Sequence, residues 1–178
     1  MTLRTDETLP HNFIRHCPHC GSHEFKAQST KEFLCGACGF NFFTNSAAAA
    51  VALISDTEGR LLMCRRGRQP GLGMLDLPGG FAEPSEKIED ALQREIQEEL
   101  QCEVYDVQYF ASEGNHYIFS GYMVFTTDMA FTCRLKGKPE AADDVASLVW
   151  LRPEEINLDE IAFDSIRQLT AKYIEKHK

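Results

Sequence analysis

The sequence predicts an α/β domain that follows a small cysteine-rich, metal-binding module. Two observations lead to this prediction: two Cys-x-x-Cys pairs lie near the amino terminus, and strand-like segments and two helical stretches follow from residue 47 onward. The chain has 178 residues, enough for one sizeable core and a small appendage. We therefore expect residues 1–45 to hold the module with a polar lead-in, and residues 46–178 to form the larger domain.

The two cysteine pairs predict a structural zinc site. Cys17 and Cys20 form the first pair, Cys35 and Cys38 form the second, and 14 residues separate them. Four thiolates at this spacing close the coordination shell of Zn²⁺, as in a four-cysteine zinc ribbon. We expect a short hairpin between the pairs, within residues 24–33. Two disulfides, or four free thiols, are the alternative interpretation.

The segments after the module alternate between strand and turn patterns. A small apolar run at 47–54 predicts a buried strand, and residues 60–64 predict its hairpin partner after a turn. Further strands are predicted at 103–112, 117–126, 129–135 and 145–151, with a turn at 113–116 and a closing helix at 163–177. The lead-in at 1–13 is polar, and we expect it to be loosely ordered.

Charge and cysteine content narrow the function classes. The formal net charge is −9, which argues against non-specific binding of nucleic acid, since that needs a basic surface. No export signal pattern opens the sequence. Seven cysteines without such a signal indicate a reducing compartment, and we expect a cytoplasmic protein.

The stretch 85–100 predicts the central helix, with Ser85 as its N-cap. Its apolar residues form one stripe that should face the core: Ile88, Ala91, Leu92, Ile96 and Leu100. Glu95 and Glu99 point into this stripe and Glu98 lies at its edge. Like charges placed together repel, and burying them unpaired is expensive. Three such carboxylates suit a hard cation such as Mg²⁺ or Mn²⁺; a solvated acidic face is the alternative.

The spacing around this helix resembles the signature of the Nudix hydrolases, G-x5-E-x7-R-E-U-x-E-E-x-G-U, in which U is a bulky aliphatic residue. The matching residues, in register, are Gly80, Glu86, Arg94, Glu95, Ile96, Glu98 and Glu99. Gln101 replaces the second glycine and Cys102 the last aliphatic residue. That glycine lies just past the helix, so we expect Gln101 to cost some local backbone strain rather than a metal ligand.

The resemblance implies an α/β/α sandwich with a mixed sheet over residues 47–178. A zinc ribbon placed directly before it is similar to the NADH pyrophosphatase branch of the family. The implied activity is divalent-metal-dependent hydrolysis of a nucleoside diphosphate linked to another group, and the expected substrate is a dinucleotide such as NADH or NAD. A small nucleotide is then the expected partner, and ribbon-bearing relatives also suggest a homodimer.

The resemblance also implies roles for individual positions. Glu95, Glu98 and Glu99 match the metal-binding glutamates, one of which acts as the base. Gly79 matches a position whose carbonyl often ligates metal. Further matches are Arg94, which orients a glutamate, and Glu86, which pairs with that arginine. Many family members add an acidic residue from the loop before the last strand; Asp144 is the candidate for that position, with Asp143 behind it, and capping of a helix or turn is the alternative for both.

Substrate contacts are predicted from residue type and position. Arg65 and Arg66 lie at the end of a predicted strand. They are expected either to bind the phosphates of the substrate or to be surface charges that keep the protein soluble. Phe81 and Tyr117 are expected to stack on a base, although packing in the sheet is the alternative. The NADH branch carries S-Q-P-W-P-F-P-x-S after the signature, but residues 112–120 keep only the two serines.

Other functions stay open for this reason. A Nudix hydrolase that acts by the same chemistry on another substrate is one alternative, and that substrate would be a dinucleoside polyphosphate, a nucleotide sugar or ADP-ribose. Removal of a nucleotide cap from RNA uses the same reaction, but the acidity of the chain argues against it. A non-catalytic nucleotide-sensing regulator is the alternative from another class, and the complete set of carboxylates argues against that one.

Overall fold

A computed structural model describes residues 7–177 of the chain. The chain divides into two compact units: one runs up to Ser46 and includes His116–Phe125, and the other comprises Ala47–Asn115 and the chain from Thr126. Residues 1–6 of the expected lead-in lie outside the described residues. Within the remainder of that lead-in, Pro10–Phe13 forms a short helix, α1.

The first unit is built on a three-stranded antiparallel sheet. Its strands are β1 (Phe25–Ala27), β2 (Glu32–Cys35) and β3 (Asn41–Phe43), in the order β1-β2-β3. The pairing of β1 with β2 confirms the hairpin expected between the cysteine pairs. Phe25 and Phe33 are buried with ring centroids 5.6 Å apart, and Phe42 packs against them. The unit thus has a small aromatic core of its own.

The second unit contains two sheets. The strands are β4 (Ala47–Ile54), β5 (Leu61–Arg66), β6 (Leu75–Asp76), β7 (Gly79–Phe81), β8 (Glu103–Phe119), β9 (Tyr122–Lys136) and β10 (Val145–Leu151), of which β8 and β9 run on into the first unit. One sheet has the order β10-β5-β6 and the other β7-β4-β9-β8. Because β4 runs parallel to β9 and antiparallel to β7, the larger sheet is mixed, as expected.

The central strand β4 separates two apolar layers. Ala50, Ala52 and Ile54 pack in the core cluster that contains Leu92 and Ile96 of the helix α2 (Ile88–Leu100). The residues between them pack in a second cluster, with the helix α3 (Asp164–Lys176): Val51 and Leu53 from β4, and Ile166, Leu169 and Tyr173 from α3. This alternation is the period-two pattern of a strand buried on both faces, and it confirms the α/β/α sandwich.

Two predicted boundaries are wrong. The central helix begins at Ile88 with Lys87 as its N-cap, while Ser85 adopts φ 70° before it. The turn expected at 113–116 does not form, because β8 continues to Phe119 and the chain reverses at Ser120 and Gly121. Both of these residues have positive φ, 50° and 81°, as a two-residue hairpin turn requires.

The hairpin predicted between residues 47–54 and 60–64 is also wrong. Strand β5 pairs with β10 and β6 in the smaller sheet, and a single bridge between Ser55 and Leu61 joins it to the end of β4. The last strand, Val145–Leu151, and the closing helix are where they were expected. Within residues 7–177, none of the helices combines the length and the hydropathy needed to cross a membrane.

Candidate active site

The site forms where the strand β7 passes beside the helix α2. Gly79, Gly80 and Phe81 of β7 pair with Val51, Ala50 and Ala49 of β4, which fixes the backbone of the two glycines. A Cβ atom on Gly79 would lie 2.1 Å from the carbonyl oxygen of Ala50, and its φ is 137°. This position therefore admits only glycine.

Glu95 packs directly over Gly80. A Cβ atom added to Gly80 would lie 2.5 Å from the carboxylate of Glu95. Burial raises the pKa of Glu95, the Arg94 guanidinium opposes that shift, and the charges of Glu98 and Asp144 add to it. The missing side chain at Gly80 thus provides the space in which the Glu95 carboxylate lies.

Glu99 is the most buried carboxylate of α2. Only 7% of the residue is exposed, and its Oε2 atom accepts a hydrogen bond of 2.8 Å from the backbone N–H of Gly79. Burial raises the pKa of Glu99 to about 9, against the effect of the Gly79 hydrogen bond and with that of the neighbouring Asp144 and Glu95 charges. Burial thus makes the charged form of Glu99 unfavourable, and a cation bound next to the carboxylate would stabilise that form.

Arg94 connects the other acidic residues of the signature. Its Nε and Nη2 atoms each lie 3.0 Å from an oxygen of Glu86, and its Nη1 atom lies 2.6 Å from Glu95 and 3.5 Å from Glu98. Nη2 also donates to the carbonyl of Phe81 at 2.8 Å. These contacts raise the pKa of Arg94 and lower that of Glu86. The guanidinium thus ties α2 to the strand that carries Gly80.

Glu98 differs from its two neighbours on the helix. Its side chain is 52% exposed, whereas the sequence led us to expect three carboxylates in one half-buried patch. Glu98 lies on the solvent side of the patch because it is one residue out of phase with Glu99. A hard cation prefers oxygen ligands, and oxygen is the donor atom that Glu95, Glu98, Glu99 and the carbonyl of Gly79 would offer to Mg²⁺ or Mn²⁺. The carboxylates do not converge within 4.8 Å of one another as the ribbon cysteines do.

Asp144 lies near these glutamates, in the loop before β10. Its carboxylate forms an ion pair of 2.6 Å with Arg68, and its charge contributes to the raised pKa values of both Glu95 and Glu99. Asp143, its neighbour, is exposed and adopts φ 50°. Of the two acidic residues considered for the site, Asp144 is the one whose charge acts on the glutamates.

The predicted phosphate-binding arginines both have protein partners. Arg65 donates to the carbonyl of Gly73 at 3.0 Å and pairs with Glu160 at 3.1 Å. Arg66 pairs with Asp76 at 2.6 Å. Asp76 is buried, and burial raises its pKa to about 6 although Arg66 opposes that shift. Asp76 was not among the residues expected at the site; the signal for it in the sequence is an acidic residue inside the apolar stretch 74–78.

The two aromatic residues assigned to base stacking lie in different units. Phe81 is 45% exposed and follows the two glycines in β7. Tyr117 is half-buried, in the part of β8 that belongs to the first unit. Both residues stay predictions as base-stacking partners.

The four ribbon cysteines converge as a zinc site requires. Their sulfur atoms all lie within 4.8 Å of one another, and none of the four is in a disulfide. Among residues 7–177 this is the one group of three or more His, Cys, Asp or Glu side chains that converge so closely. His16, His19 and His23 are exposed beside it. The geometry and the soft thiolate donors fit Zn²⁺.

Comparison with solved structures supports the fold. The chain is similar to a crystal structure of a NUDIX hydrolase from Nitrosomonas europaea, with a TM-score of 0.72, 21% sequence identity, and coverage of 92% of both chains. At this identity the likeness concerns the fold alone. It extends over nearly the whole of both proteins.

Curated proteins similar in sequence share one description. The chain is 26% identical over 160 residues to the "NAD-capped RNA hydrolase NudC" of Stutzerimonas stutzeri, covering 90% of this chain and 54% of that protein. It is 33% identical over 119 residues to the protein of the same description from Deinococcus radiodurans, covering 64% and 41%. The chain thus spans about half the length of these relatives, or less. The NUDIX domain family matches residues 45–173, which is most of the chain, and the protein belongs to that family.

Proposed function

We propose that this protein is a Nudix pyrophosphohydrolase that cleaves the diphosphate linkage of a dinucleotide such as NADH or NAD. The observation that carries the proposal is the arrangement around β7, where Gly79 holds Glu99 and Gly80 makes room for Glu95. The complete set of signature carboxylates around that arrangement supports a catalytic protein over a nucleotide-sensing regulator.

We assign the divalent-metal site to this same group. Glu95, Glu98 and Glu99 with the carbonyl of Gly79 would hold Mg²⁺ or Mn²⁺, with Asp144 as an additional acidic residue. A divalent ion held there supplies charge neutralisation for the diphosphate and makes a bound water more acidic. The four ribbon cysteines, in turn, would hold a structural Zn²⁺, and four unpaired thiols suit the cytoplasm.

Each residue of the site is assigned one role in the reaction. Glu95 or Glu99, in its ionised form, accepts the proton of the attacking water, and the raised pKa values make both carboxylates stronger bases than an exposed one. Arg94 keeps Glu95 in place through its contacts with Glu86 and Phe81. Phe81 is assigned to the base of the substrate, and Arg65 to its phosphates. We infer a domain division at residues 45 and 46, with the reaction confined to the second domain.

A second candidate substrate is an RNA that carries an NAD cap. The relatives from Stutzerimonas stutzeri and Deinococcus radiodurans are described as hydrolases of NAD-capped RNA, and the bond to be cleaved is the same diphosphate. The net charge of −9 weighs against RNA. The substrates therefore need to be compared directly.

The test is a screen with Mg²⁺ or Mn²⁺ and products identified by chromatography. The substrates are NADH, NAD, ADP-ribose, diadenosine polyphosphates, nucleotide sugars and an NAD-capped RNA. We expect cleavage of NADH to NMNH and AMP, and a loss of activity by orders of magnitude in folded Glu98→Gln and Glu99→Gln variants. Full turnover by a correctly folded Glu99→Gln protein would refute the assigned role, and cleavage of another diphosphate alone would refute the substrate.

A further inference from the structure

Arg66 and Asp76 form an enclosed ion pair just before the segment that carries Gly79. Their charged atoms are 2.6 Å apart, and only 18% and 12% of the two side chains are exposed. Removing two charges from water is costly unless the geometry is good and further hydrogen bonds are made. We therefore expect this pair to hold one defined conformation.

The remaining contacts of Arg66 restrict it further. Its Nε atom donates to the carbonyl of Pro70 at 2.7 Å. The guanidinium carbon lies 4.8 Å from the centre of the Phe163 ring, a distance at which the cation is attracted to the ring face. The guanidinium is thus bound by a carboxylate, a carbonyl and an aromatic ring of the protein itself.

A continuous series of contacts leads from Asp76 to Glu99. The second carboxylate oxygen of Asp76 accepts a hydrogen bond of 2.9 Å from the N–H of Leu77. The carbonyl of Pro78 accepts one of 2.8 Å from Ala52. The N–H of Gly79 then donates to Glu99 at 2.8 Å. Each residue from 76 to 79 is therefore fixed by at least one hydrogen bond.

We propose that Arg66 and Asp76 are positioning residues for Glu99, which they act on through the Leu77–Pro78–Gly79 backbone without touching the substrate. This inference rests on the proposed function, because it assumes that Glu99 belongs to the catalytic metal site. It gives Arg66 a role different from the phosphate contact that the sequence suggested. The two roles predict different kinetic effects.

The kinetic parameters distinguish a phosphate contact from a positioning role. If Arg66 bound the substrate phosphate equally in the ground and transition states, its loss would raise KM and leave kcat unchanged. If it positions Glu99, its loss lowers kcat, leaves KM within about twofold, and weakens metal binding. Residues that orient metal ligands typically contribute about ten- to a hundredfold to activity or metal affinity.

The experiment uses the zinc-loaded full chain and the variants Arg66→Met, Asp76→Asn and the double variant. Steady-state kinetics are measured on the cleaved dinucleotide, and Mn²⁺ binding is measured by calorimetry without substrate. For Arg66→Met we expect at least about a tenfold fall in kcat and a similar rise in the Kd for Mn²⁺. The double variant should be less impaired than Arg66→Met, since it leaves no unpaired carboxylate buried.

Arg60→Met is the matched control. Arg60 also pairs with an aspartate, Asp56, at 2.7 Å, in the turn after β4. The other carboxylates whose charges act on Arg60 are Glu58 and Glu155, and neither is a residue of the candidate site. We expect the kcat and the Mn²⁺ affinity of Arg60→Met to match those of the unaltered protein. Equal effects of Arg60→Met and Arg66→Met would overturn the inference, and so would a rise in KM alone for Arg66→Met.

Two further measurements keep the result interpretable. If Arg66→Met does not fold, as judged by thermal unfolding, Arg66→Lys and Asp76→Asn carry the test, because they preserve the charge or the shape of the pair. If the unaltered protein cleaves no diphosphate, the proposed function fails. The calorimetric comparison still decides whether the pair controls Mn²⁺ binding at Glu99, and unchanged Mn²⁺ affinity in both variants would refute it.

Discussion

The backbone N–H of Gly79 donates a 2.8 Å hydrogen bond to the buried carboxylate of Glu99. This contact joins the first residue of β7 to the last turn of α2, although the two residues are 20 positions apart in sequence. It satisfies one oxygen of a carboxyl group that is almost enclosed by protein. The orientation of Glu99 is consequently set by the backbone rather than by a flexible side chain.

The first prediction concerns the pH dependence of stability. Burial raises the pKa of Glu99 from 4.5 to about 9, so the folded protein binds this proton more tightly than the unfolded chain does. The resulting stabilisation is complete below about pH 4.5 and is lost as the pH rises toward about 9. One pKa unit corresponds to about 1.4 kcal/mol, so a fraction of the shift is measurable.

Glu99→Gln tests this prediction by urea unfolding at about pH 5, 7 and 9, in buffer without added Mg²⁺ or Mn²⁺. The unaltered protein should lose free energy of unfolding over this range relative to the variant, which has no proton to lose at this position. Parallel pH profiles for the two proteins would show that Glu99 ionises normally in the fold.

The second prediction concerns the space above Gly80. In Gly80→Ala the new Cβ atom would meet the Glu95 carboxylate, which lies 2.5 Å from that position. The carboxylate must move, and a displacement of about 1 Å at a catalytic group lowers the rate by about a hundredfold. Gly114→Ala is the control, because a Cβ atom there meets nothing within 4 Å. Similar kcat values for the two alanine variants would contradict this account.

The third prediction concerns the guanidinium group of Arg94, which contacts several partners at once. Lysine keeps the charge, but its single ammonium cannot reach Glu86, Glu95 and the Phe81 carbonyl together. We expect Arg94→Lys to lower kcat by about ten- to a hundredfold. The control is Arg167→Lys on α3, where the arginine pairs with Asp164 at 2.7 Å, and its kcat should be unaltered. The contrary result is full activity of Arg94→Lys.

The fourth prediction concerns the ribbon. Cys35→Ser removes one of four converging thiols, so the bound zinc should fall from about one ion per chain to nearly none by elemental analysis. Cys133→Ala, which alters a buried cysteine outside the ribbon, should leave the zinc content unchanged. Purified protein without zinc, or with equal zinc in both variants, would rule out the ribbon site.

Much of this fold follows from local patterns in the sequence. The apolar run Ala47–Ile54, the strand Val145–Leu151 and the spacing of apolar residues in α2 are local signals, and the structure confirms each of them. Pairing partners are not local. The sequence placed the strand after residue 60 against β4, but β10, some 80 residues later, provides its main partner.

The long hairpin of β8 and β9 shows a second limit. Gly114 and Asn115 are typical turn residues, yet the strand continues through them. Side chains along that stretch alternate between exposed and half-buried, as they do in a regular strand. Extended pairing with β9 outweighs the local preference there. The true reversal uses Ser120 and Gly121, a dipeptide that is also typical of turns.

For the site, the sequence identified the residues but not their environments. Signature spacing located Gly80, Arg94 and the glutamates, and helical phase indicated that Glu99 is buried, as it is. Helical phase placed Glu98 at the edge of the apolar stripe but did not predict that 52% of its side chain is exposed. The Arg66–Asp76 pair joins the ends of β5 and β6, ten positions apart in sequence. No periodicity of the sequence predicts such a contact.

Gln101 shows that the signature combines two different selective pressures. It occupies the left-handed conformation just past α2, with φ 56° and ψ 31°, and its N–H bonds to the carbonyl of Gln97. Glycine is preferred there for its backbone freedom, so this position of the signature concerns helix termination, as Ile96 concerns the core. A search that demands glycine at this position would discard sequences whose signature carboxylates are complete, and family membership is better judged from the acidic positions.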